Sequence, residues 1–215
     1  MNNGNGTTNI IPPSLPVLPL KDSVLFPYMI MNVNVQRGFS SSAVNRAITA
    51  EGYLIVTAQK DPSIDQIKDE TVYSTGTVAT VIRMQKNFDG NMMLYIQGYK
   101  KASIRNIRYD EQGGYYTADV NMIDDEPDQN NVMSQALMTE IKRQIKNIAD
   151  QGEIMLPPEA LAAIQGVKNP GRLAEIIMSH LSKSVELSQR VLEENSVMKK
   201  LQIVHESLEK ELSLI

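Results

Sequence analysis

The first half of the chain alternates apolar and polar residues with a period of two. Over residues 28–35, methionines and valines occupy one parity and tyrosine, isoleucine and asparagines the other, which predicts a half-buried strand. A continuous apolar run over residues 53–58 predicts a buried strand, and the sequences at 88–91 and 112–114 predict tight hairpins. One short helix is predicted over residues 43–48. This half therefore predicts about six strands in a barrel-like sheet.

Glycine and proline divide the predicted strands. The strand that begins at residue 92 is predicted to end at Gly98, and a separate strand is predicted over residues 103–109. Three prolines of the opening segment have no N–H to donate, so we expect them at sheet edges, at first residues of strands and at bends. They are Pro16, Pro19 and Pro27.

The apolar period changes to 3.6 residues in the second half, which predicts a helical bundle. The boundary is an acidic, proline-broken segment with no apolar residues to bury, and it is predicted to be a linker. The expected fold class is therefore α+β. The predicted divisions are a polar tail over residues 1–11, a β-rich subdomain over 12–123, the linker over 124–131 and a helical subdomain over 132–215.

The helical half is predicted to begin and end with long amphipathic helices. The first has an apolar stripe from Val132 and Met133 to Ile148 and about five turns. The last opens at residues 195–196, and its stripe is still apolar where the chain stops, so the chain is expected to end within a helix. Its inner half should pack on the helix at residues 173–181. Its outer part, from Leu208 onward, is expected to project beyond the bundle and favour weak self-association. The outer stripe consists of Leu208, Leu212 and Ile215.

Composition excludes several classes of protein. The 215 residues include no cysteine, which removes disulfides, thiolate metal sites and a cysteine nucleophile. The net charge of −4 disfavours nucleic acid as a partner. No apolar run approaches the roughly 20 residues of a membrane span, and the polar first residues do not resemble a signal peptide. We therefore expect a cytoplasmic protein without a membrane partner.

No catalytic, cofactor-binding or metal-binding set can be assembled from the sequence. The phosphate-binding pattern GxxxxGK[ST] does not occur. Ser182 and Lys183 are adjacent, so on a helix they point in different directions and cannot form a dyad. His180 and His205 lack ligand spacing, and packing or surface roles are favoured for both. Lys100 and Lys101 are expected on a solvated sheet face.

Several segments resemble the amino-terminal domain of Lon proteases, in order and in spacing. Residues 15–27 read LPVLPLKDSVLFP, similar to the family pattern LPxLPLRxxVxFP. Residues 89–104 read DGNMMLYIQGYKKASI, similar to DGTxxVLVEGxxRAxI. In the helical half, residues 169–181 read NPGRLAEIIMSHL, similar to DPxxLADxIAxxL. With further matches, the resemblance extends from Leu15 to Ile215.

The resemblance implies a PUA-like β subdomain followed by a helical bundle that leads into a long helix. In that family these parts serve an ATP-dependent, hexameric Ser–Lys protease that uses ATP and magnesium. The implied role is to recognise unfolded or degron-bearing proteins and to assist assembly, with no catalysis in this chain. Two alternatives stay open: a freestanding PUA-like module that binds a small ligand or RNA, and a module for assembly only.

A receptor for unfolded polypeptide should be shallow, apolar and adaptable. Methionine suits such a surface, and the sequence has 12 methionines, several of them outside the predicted helices. Strand alternation prevents Met92 and Met93 from both lying in the core. The predicted substrate-binding residues come from two corners of the β half. They are Leu20, Pro27, Tyr28, Met29, Phe88, Met92 and Tyr95.

Overall fold

The structure is a computed structural model that describes residues 10–50, 52–88, 90–152, 154–182 and 184–213. The predicted polar tail therefore lies almost entirely outside the described residues. Six strands form one sheet in the described part of the chain. The strands are β1 (Ser14–Leu20), β2 (Ile30–Val35), β3 (Tyr53–Ala58), β4 (Thr75–Lys86), β5 (Met92–Asp110) and β6 (Tyr115–Met122).

Among the residues that the structure describes, one helix follows β2 and five more follow the sheet. None of them, within the described residues, has the length and hydropathy that crossing a bilayer requires. Together with the sheet they confirm the α+β class. The helices are α1 (Gly38–Thr49), α2 (Asn131–Asp150), α3 (Pro158–Gly166), α4 (Pro170–Leu181), α5 (Val185–Glu193) and α6 (Val197–Ser213).

The sheet closes on itself except at β2. Its strand order is β2-β5-β4-β3-β1-β6, and β5 also pairs with β6, so five strands form a barrel. β1 runs parallel to β3, and the other pairs are antiparallel. β2 lies outside the barrel and pairs with β5 alone in the described residues. The prediction of a barrel-like sheet is confirmed.

The prolines of β1 do not place it at an edge, because β1 lies between β3 and β6. Its first half, through Pro16, pairs only with β6, and its second half pairs only with β3. Each half therefore has one neighbouring strand, so a missing N–H can be tolerated. The Pro19 carbonyl oxygen accepts a hydrogen bond from Arg37 Nη2 at 2.6 Å.

β5 continues through Gly98, so the predicted break there is wrong. A Cβ atom at this position would lie 2.2 Å from the carbonyl oxygen of Phe26, and only glycine allows that approach. Ala79 of β4 pairs with Gly98 and Val78 pairs with Lys100, which leaves Tyr99 as the extra residue of a bulge. The bulge reverses which parity of β5 faces which side of the sheet.

The two sides of the sheet contribute to different cores. Leu94 and Ile96, before the bulge, pack with α1, whereas Ile104, after the bulge, packs with barrel residues such as Val120. A third core holds the helical half and includes Phe26 from the corner between β1 and β2. The two halves of the chain therefore share buried apolar residues.

The segment over residues 124–131 is not an unattached linker. The Glu126 N–H donates to the Asn195 carbonyl oxygen at 2.8 Å, and Asp128 accepts a hydrogen bond from the Ser134 hydroxyl. Asp125 bridges two lysines from different halves of the chain. Polar contacts attach this segment to both halves of the chain, so its lack of apolar residues did not make it a free linker.

The helical predictions need two corrections. Val132 and Met133 are 82% and 56% exposed, because the buried face of α2 runs from Ser134 through Met138 and leaves both side chains on the solvent side. Leu208 of α6 is buried rather than projecting, because it packs in the helical core with residues of α2 and α4. The predicted packing of α6 on α4 is confirmed. Leu212 and Ile215 lie outside the residues whose side chains are described.

Candidate functional site

One face of the three strands β2, β5 and β4 carries exposed apolar side chains. Ile30 lies opposite Gln97, and Asn32 lies opposite Tyr95, so these residues share one face of the sheet. Ile30 is 60% exposed, and Tyr95 is partly exposed. Bulge residues of β4 and β5 and the first residue of β3 extend the apolar area. We call this surface the outer face: Ile30, Tyr53, Ile82, Met93, Tyr95 and Tyr99.

Ring contacts and a guanidinium group link side chains within the outer face. The rings of Tyr53 and Tyr99 lie 6.4 Å apart, and Arg83 of β4 lies 5.8 Å from the ring centre of Tyr95. Ile82 and Tyr99 are both about half exposed. The outer face is therefore a broad apolar surface with aromatic and methionine side chains, rather than a deep pocket.

The opposite face of the same strands packs on α1 and is fully buried along β5. Met92 is 3% exposed, and Leu94 and Ile96 are buried completely, packed with residues of α1. Met93 points the other way and is partly exposed. The prediction that Met92 and Met93 cannot both belong to the core is confirmed.

A corner at Tyr28 connects the outer face to the helical half. Tyr28 has a positive φ of 64°, which is unusual for a bulky residue and costs on the order of 1 kcal/mol or more. Its N–H donates to the Gly98 carbonyl oxygen at 2.8 Å. The Arg172 guanidinium of α4 lies 4.7 Å from the Tyr28 ring centre and donates to the Pro27 carbonyl oxygen at 2.6 Å. These contacts hold Tyr28, which is 60% exposed, beside the outer face.

The structure separates the predicted substrate-binding residues into four groups. Tyr95 lies on the outer face and Tyr28 beside it, whereas Phe88 is fully exposed in the turn between β4 and β5. Met29 is partly buried and directly precedes β2. The remaining three are corrections, because the corner and the sheet bury their side chains against the core. They are Leu20, Pro27 and Met92.

The predicted residues also do not form one patch. Tyr28 lies beside Gly98, near the middle of β5, whereas Phe88 precedes the first residue of β5. A strand advances about 3.3 Å per residue, so the two are separated by roughly 20 Å or more. Sequence analysis missed Ile30, Ile82 and Tyr99, because their common face depends on strand register and on two bulges.

A second unusual cluster lies at the junction of the two halves. Asp125 accepts from Lys101 Nζ at 2.7 Å and from Lys200 Nζ at 2.9 Å, and Lys200 also donates to Glu175 at 2.7 Å. Asn195 Oδ1 accepts from Lys101 as well, at 2.8 Å. We call Lys101, Asp125, Glu175, Asn195 and Lys200 the junction network.

Burial shapes the charges of the junction network. The lysine side chains at 101 and 200 are 4% and 0% exposed, so the predicted solvated position of Lys101 is wrong. Burial lowers the pKa of Lys101 and raises the pKa of Glu175, and their charged partners oppose both shifts. The two lysines and two carboxylates balance in charge, so the network can join the halves without an unpaired buried ion.

One of the two histidines lies at the surface and the other packs against neighbouring side chains, as the sequence analysis favoured. His180 is exposed, whereas His205 contacts Gln144 at 3.0 Å and Glu209 at 3.3 Å. Within the described ranges, no group of three or more His, Cys, Asp or Glu could hold a metal ion. The arrangements described above are suited to binding and to joining subdomains.

Comparison with known proteins identifies the family. A family model described as the ATP-dependent protease La (LON) substrate-binding domain matches residues 14–210. The chain belongs to the Lon substrate-binding domain family. Lon protease 2 of Bdellovibrio bacteriovorus is 34% identical over 206 residues, and Lon protease of Geobacter metallireducens is 32% identical over 206 residues. Each alignment covers 95% of this chain and 25% of the relative, so the chain spans about a quarter of these Lon proteases.

Two solved Lon domains share the fold. The N-terminal domain of the Mycobacterium avium complex Lon protease has a TM-score of 0.75 at 18% identity, covering 91% of this chain and 98% of that chain. The Lon N-terminal domain protein from Xanthomonas campestris has a TM-score of 0.60, also at 18% identity, covering 88% of this chain and 95% of that chain. At this identity the similarity concerns the fold alone, and it confirms the fold that the Lon resemblance implied.

Proposed function

We propose that this chain is the substrate-recognition region of a Lon-type protease, and that its outer face binds unfolded polypeptides, including degron-bearing ones. The family supports a role in substrate binding. The observation that carries the location is the exposed apolar surface on a sheet whose other face is buried. A rigid sheet lets apolar side chains stay exposed without collapsing, because the covered face already supplies the core.

The outer face has properties suited to an unfolded chain. Folded proteins bury apolar side chains, so a shallow apolar surface discriminates against them without recognising a sequence. Met93 can adapt to different side chains, while the tyrosine rings provide large contact areas with few rotatable bonds. Each apolar group buried on binding would contribute on the order of 1–2 kcal/mol, so several are needed for micromolar affinity.

We further propose that this chain binds and does not catalyse. Recognition would deliver substrate to ATP-driven unfolding and to proteolysis elsewhere in the full protein, which the family name implies. The purified chain should neither hydrolyse ATP nor cleave casein. Activity that stays with the chain through rigorous purification, and that is absent from a matched empty preparation, would contradict this part of the proposal.

The test compares two double variants that make the same chemical change at different places. Ile30→Ser with Tyr95→Ser alters the outer face. Ile48→Ser with Tyr109→Ser alters an isoleucine and a tyrosine that are each 46% exposed elsewhere in the β half. Binding of a labelled protein held unfolded by alkylation of its cysteines is measured by fluorescence anisotropy, with its folded, oxidised form as a reference.

The outer-face variant should weaken binding of the unfolded protein about tenfold or more, whereas the matched variant should bind like the original chain. Thermal unfolding of both variants verifies that the fold is retained. Equal binding by all three chains would place recognition elsewhere. Equal affinity for the unfolded and folded forms would refute recognition of unfolded protein.

A further inference from the structure

The free edge of β2 presents unused backbone hydrogen-bonding groups. The Gly98 N–H donates to the Met29 carbonyl oxygen at 2.9 Å, which fixes Met29 as a residue whose backbone faces β5. Backbone direction alternates along a strand, so the N–H and C=O groups of three residues point away from β5. In the described part of the chain these groups have no protein partner. They belong to Ile30, Asn32 and Asn34.

Two grooves follow this edge, one after the other. The first has a volume of about 340 Å³ and borders Ile30 to Asn32, with Phe26 and Met178 among its apolar lining residues. The second has a volume of about 390 Å³ and borders residues 32–37. Asp22 and Ser23 line both grooves, so the two are continuous past the middle of β2. Four serines of α4, α5 and the connection between them also line the first groove: Ser179, Ser182, Ser184 and Ser188.

β2 lacks the features that usually protect an edge strand. Natural edges carry lysine or proline, contain a bulge or are covered by another element. The residues of β2, IMNVNV, include neither charge nor proline, and the register with β5 is unbroken. Asp22 is the one ionisable residue of those described along the first groove, whereas Lys21 and Arg37 also line the second. The edge is therefore open to backbone pairing, and the first groove favours an uncharged segment.

We infer that β2 binds an extended segment of the substrate as an additional strand of the sheet. This inference rests on the proposed function. The bound segment would lie in the grooves, its backbone paired with Ile30, Asn32 and Asn34, and it would continue onto the outer face through the side chain of Ile30. Backbone pairing does not depend on sequence, as recognition of many different unfolded proteins requires.

The shape of the grooves favours a single extended chain over a second copy of this domain. Asp22 and Ser23 line both grooves beside β2, and in the first groove the four serines named above line it too, so these residues form a wall next to β2. A second copy would bring the same wall beside its own β2, so the two edges could not approach to the spacing of about 4.8 Å that strand pairing needs. An unfolded segment carries no such wall.

The test blocks the edge while leaving the apolar side chains of the outer face in place. Asn32→Pro removes one outward N–H and places a ring on the free edge, whereas the pairing of Met31 and Val33 with β5 stays available. Asn32→Thr is the matched control, because it changes the side chain and keeps the N–H. The probe is a labelled ten-residue peptide of alternating leucine and serine with blocked ends. Its binding is measured by anisotropy, beside the outer-face variant Ile30→Ser with Tyr95→Ser.

Asn32→Pro should weaken peptide binding about tenfold, and Asn32→Thr should stay close to the original chain. In the original chain, saturating peptide should slow amide hydrogen exchange at Ile30, Asn32 and Asn34, and leave Met31 and Val33 unchanged. The exchange experiment decides the question on its own if the proline variant fails to fold.

Different failures point to different errors. If the proline and threonine variants bind alike while the outer-face variant is weakened, pairing at the edge is wrong and the proposed function stands. If the original chain does not bind the peptide, both are refuted. If the proline variant changes sedimentation mass instead of peptide affinity, a second copy occupies the edge and the inference is wrong.

Discussion

The junction network and the outer face depart from the usual distribution of side chains in opposite ways. The junction network buries two lysines and the carboxylate of Glu175 beside the partly exposed Asp125, where the two halves meet. The outer face exposes aliphatic and aromatic residues on a rigid sheet. A buried charge tolerates few alternative geometries, whereas an exposed apolar surface accepts many. The junction network therefore fixes the orientation of the two halves, whereas the outer face does not specify the shape or sequence of its partner.

The largest effect is expected at the junction, from Lys200→Met. The change leaves Glu175 and one oxygen of Asp125 without their buried cation, which should lower the free energy of unfolding by about 3–5 kcal/mol. Lys199→Met, at an exposed neighbouring position, should change it by less than about 0.5 kcal/mol. Urea unfolding measures both. Similar values for the two variants would mean that the network contributes little.

Replacing two adjacent methionines of β5, one at a time, compares the covered and exposed faces of this strand directly. Met92→Ala should lower the free energy of unfolding by about 2–4 kcal/mol, because it leaves a cavity beneath α1. Met93→Ala should cost less than about 1 kcal/mol. Urea unfolding and binding of unfolded protein are measured on both variants. Only Met93→Ala should weaken binding, and a reversed pattern would exchange the roles of the two faces.

A double replacement tests whether the junction serves stability or orientation. Adding Glu175→Met to Lys200→Met leaves the Lys101–Asp125 pair balanced and replaces the other pair with apolar atoms. The double variant should recover to within about 1 kcal/mol of the original stability. If the halves then exchange between orientations, line broadening should appear in nuclear magnetic resonance spectra at Tyr28 and Arg172. Sharp lines with full stability would show that the network is not needed to fix the halves.

The smallest effect on stability is expected from a surface cluster of hydrogen bonds around Asp119. Hydrogen bonds from Asn106, Ser14 and Arg108 lower the pKa of Asp119 to about 2. Because this pKa is lower in the folded chain than in the unfolded chain, the ionised carboxylate of Asp119 stabilises the fold fully above about pH 4. The stabilisation is lost as the pH falls towards 2, where Asp119 becomes protonated in the folded chain as well. Asp119→Asn should therefore lose less stability than the original chain between pH 5 and pH 2. Identical acid unfolding curves would contradict the lowered pKa.

Local pattern was enough to predict the elements, because each buried face has a regular period. The alternation at residues 28–35 predicted β2 to within two residues, and the run at 53–58 predicted β3. The helical periodicity predicted α4 and α6, together with their contact. These features depend on neighbours in sequence, which a single chain displays directly.

The junction and the outer face could not be predicted in the same way, because both depend on distant residues. Nothing near Lys101 in sequence indicates that Asp125 neutralises it, or that Lys200 shares the same carboxylate. Ile30 and Tyr95 share a face only because of the register between β2 and β5. Met92 was predicted at the surface and lies in the core, since a methionine carries no local indication of which side of a sheet will be covered.

The bulge at Tyr99 makes β5 sensitive to changes in length. Residues before it contribute to the core beneath α1, and residues after it contribute to the barrel interior. Deleting Tyr99 would leave Gly98 opposite Ala79 and Lys100 opposite Val78, so side chains on both sides would keep their faces, but the bend and added twist that the bulge gives β5 would be lost. Substitutions at this position should therefore be tolerated better than its deletion. Among natural variants of this domain, one residue should stand between Gly98 and Lys100 even where that residue itself changes.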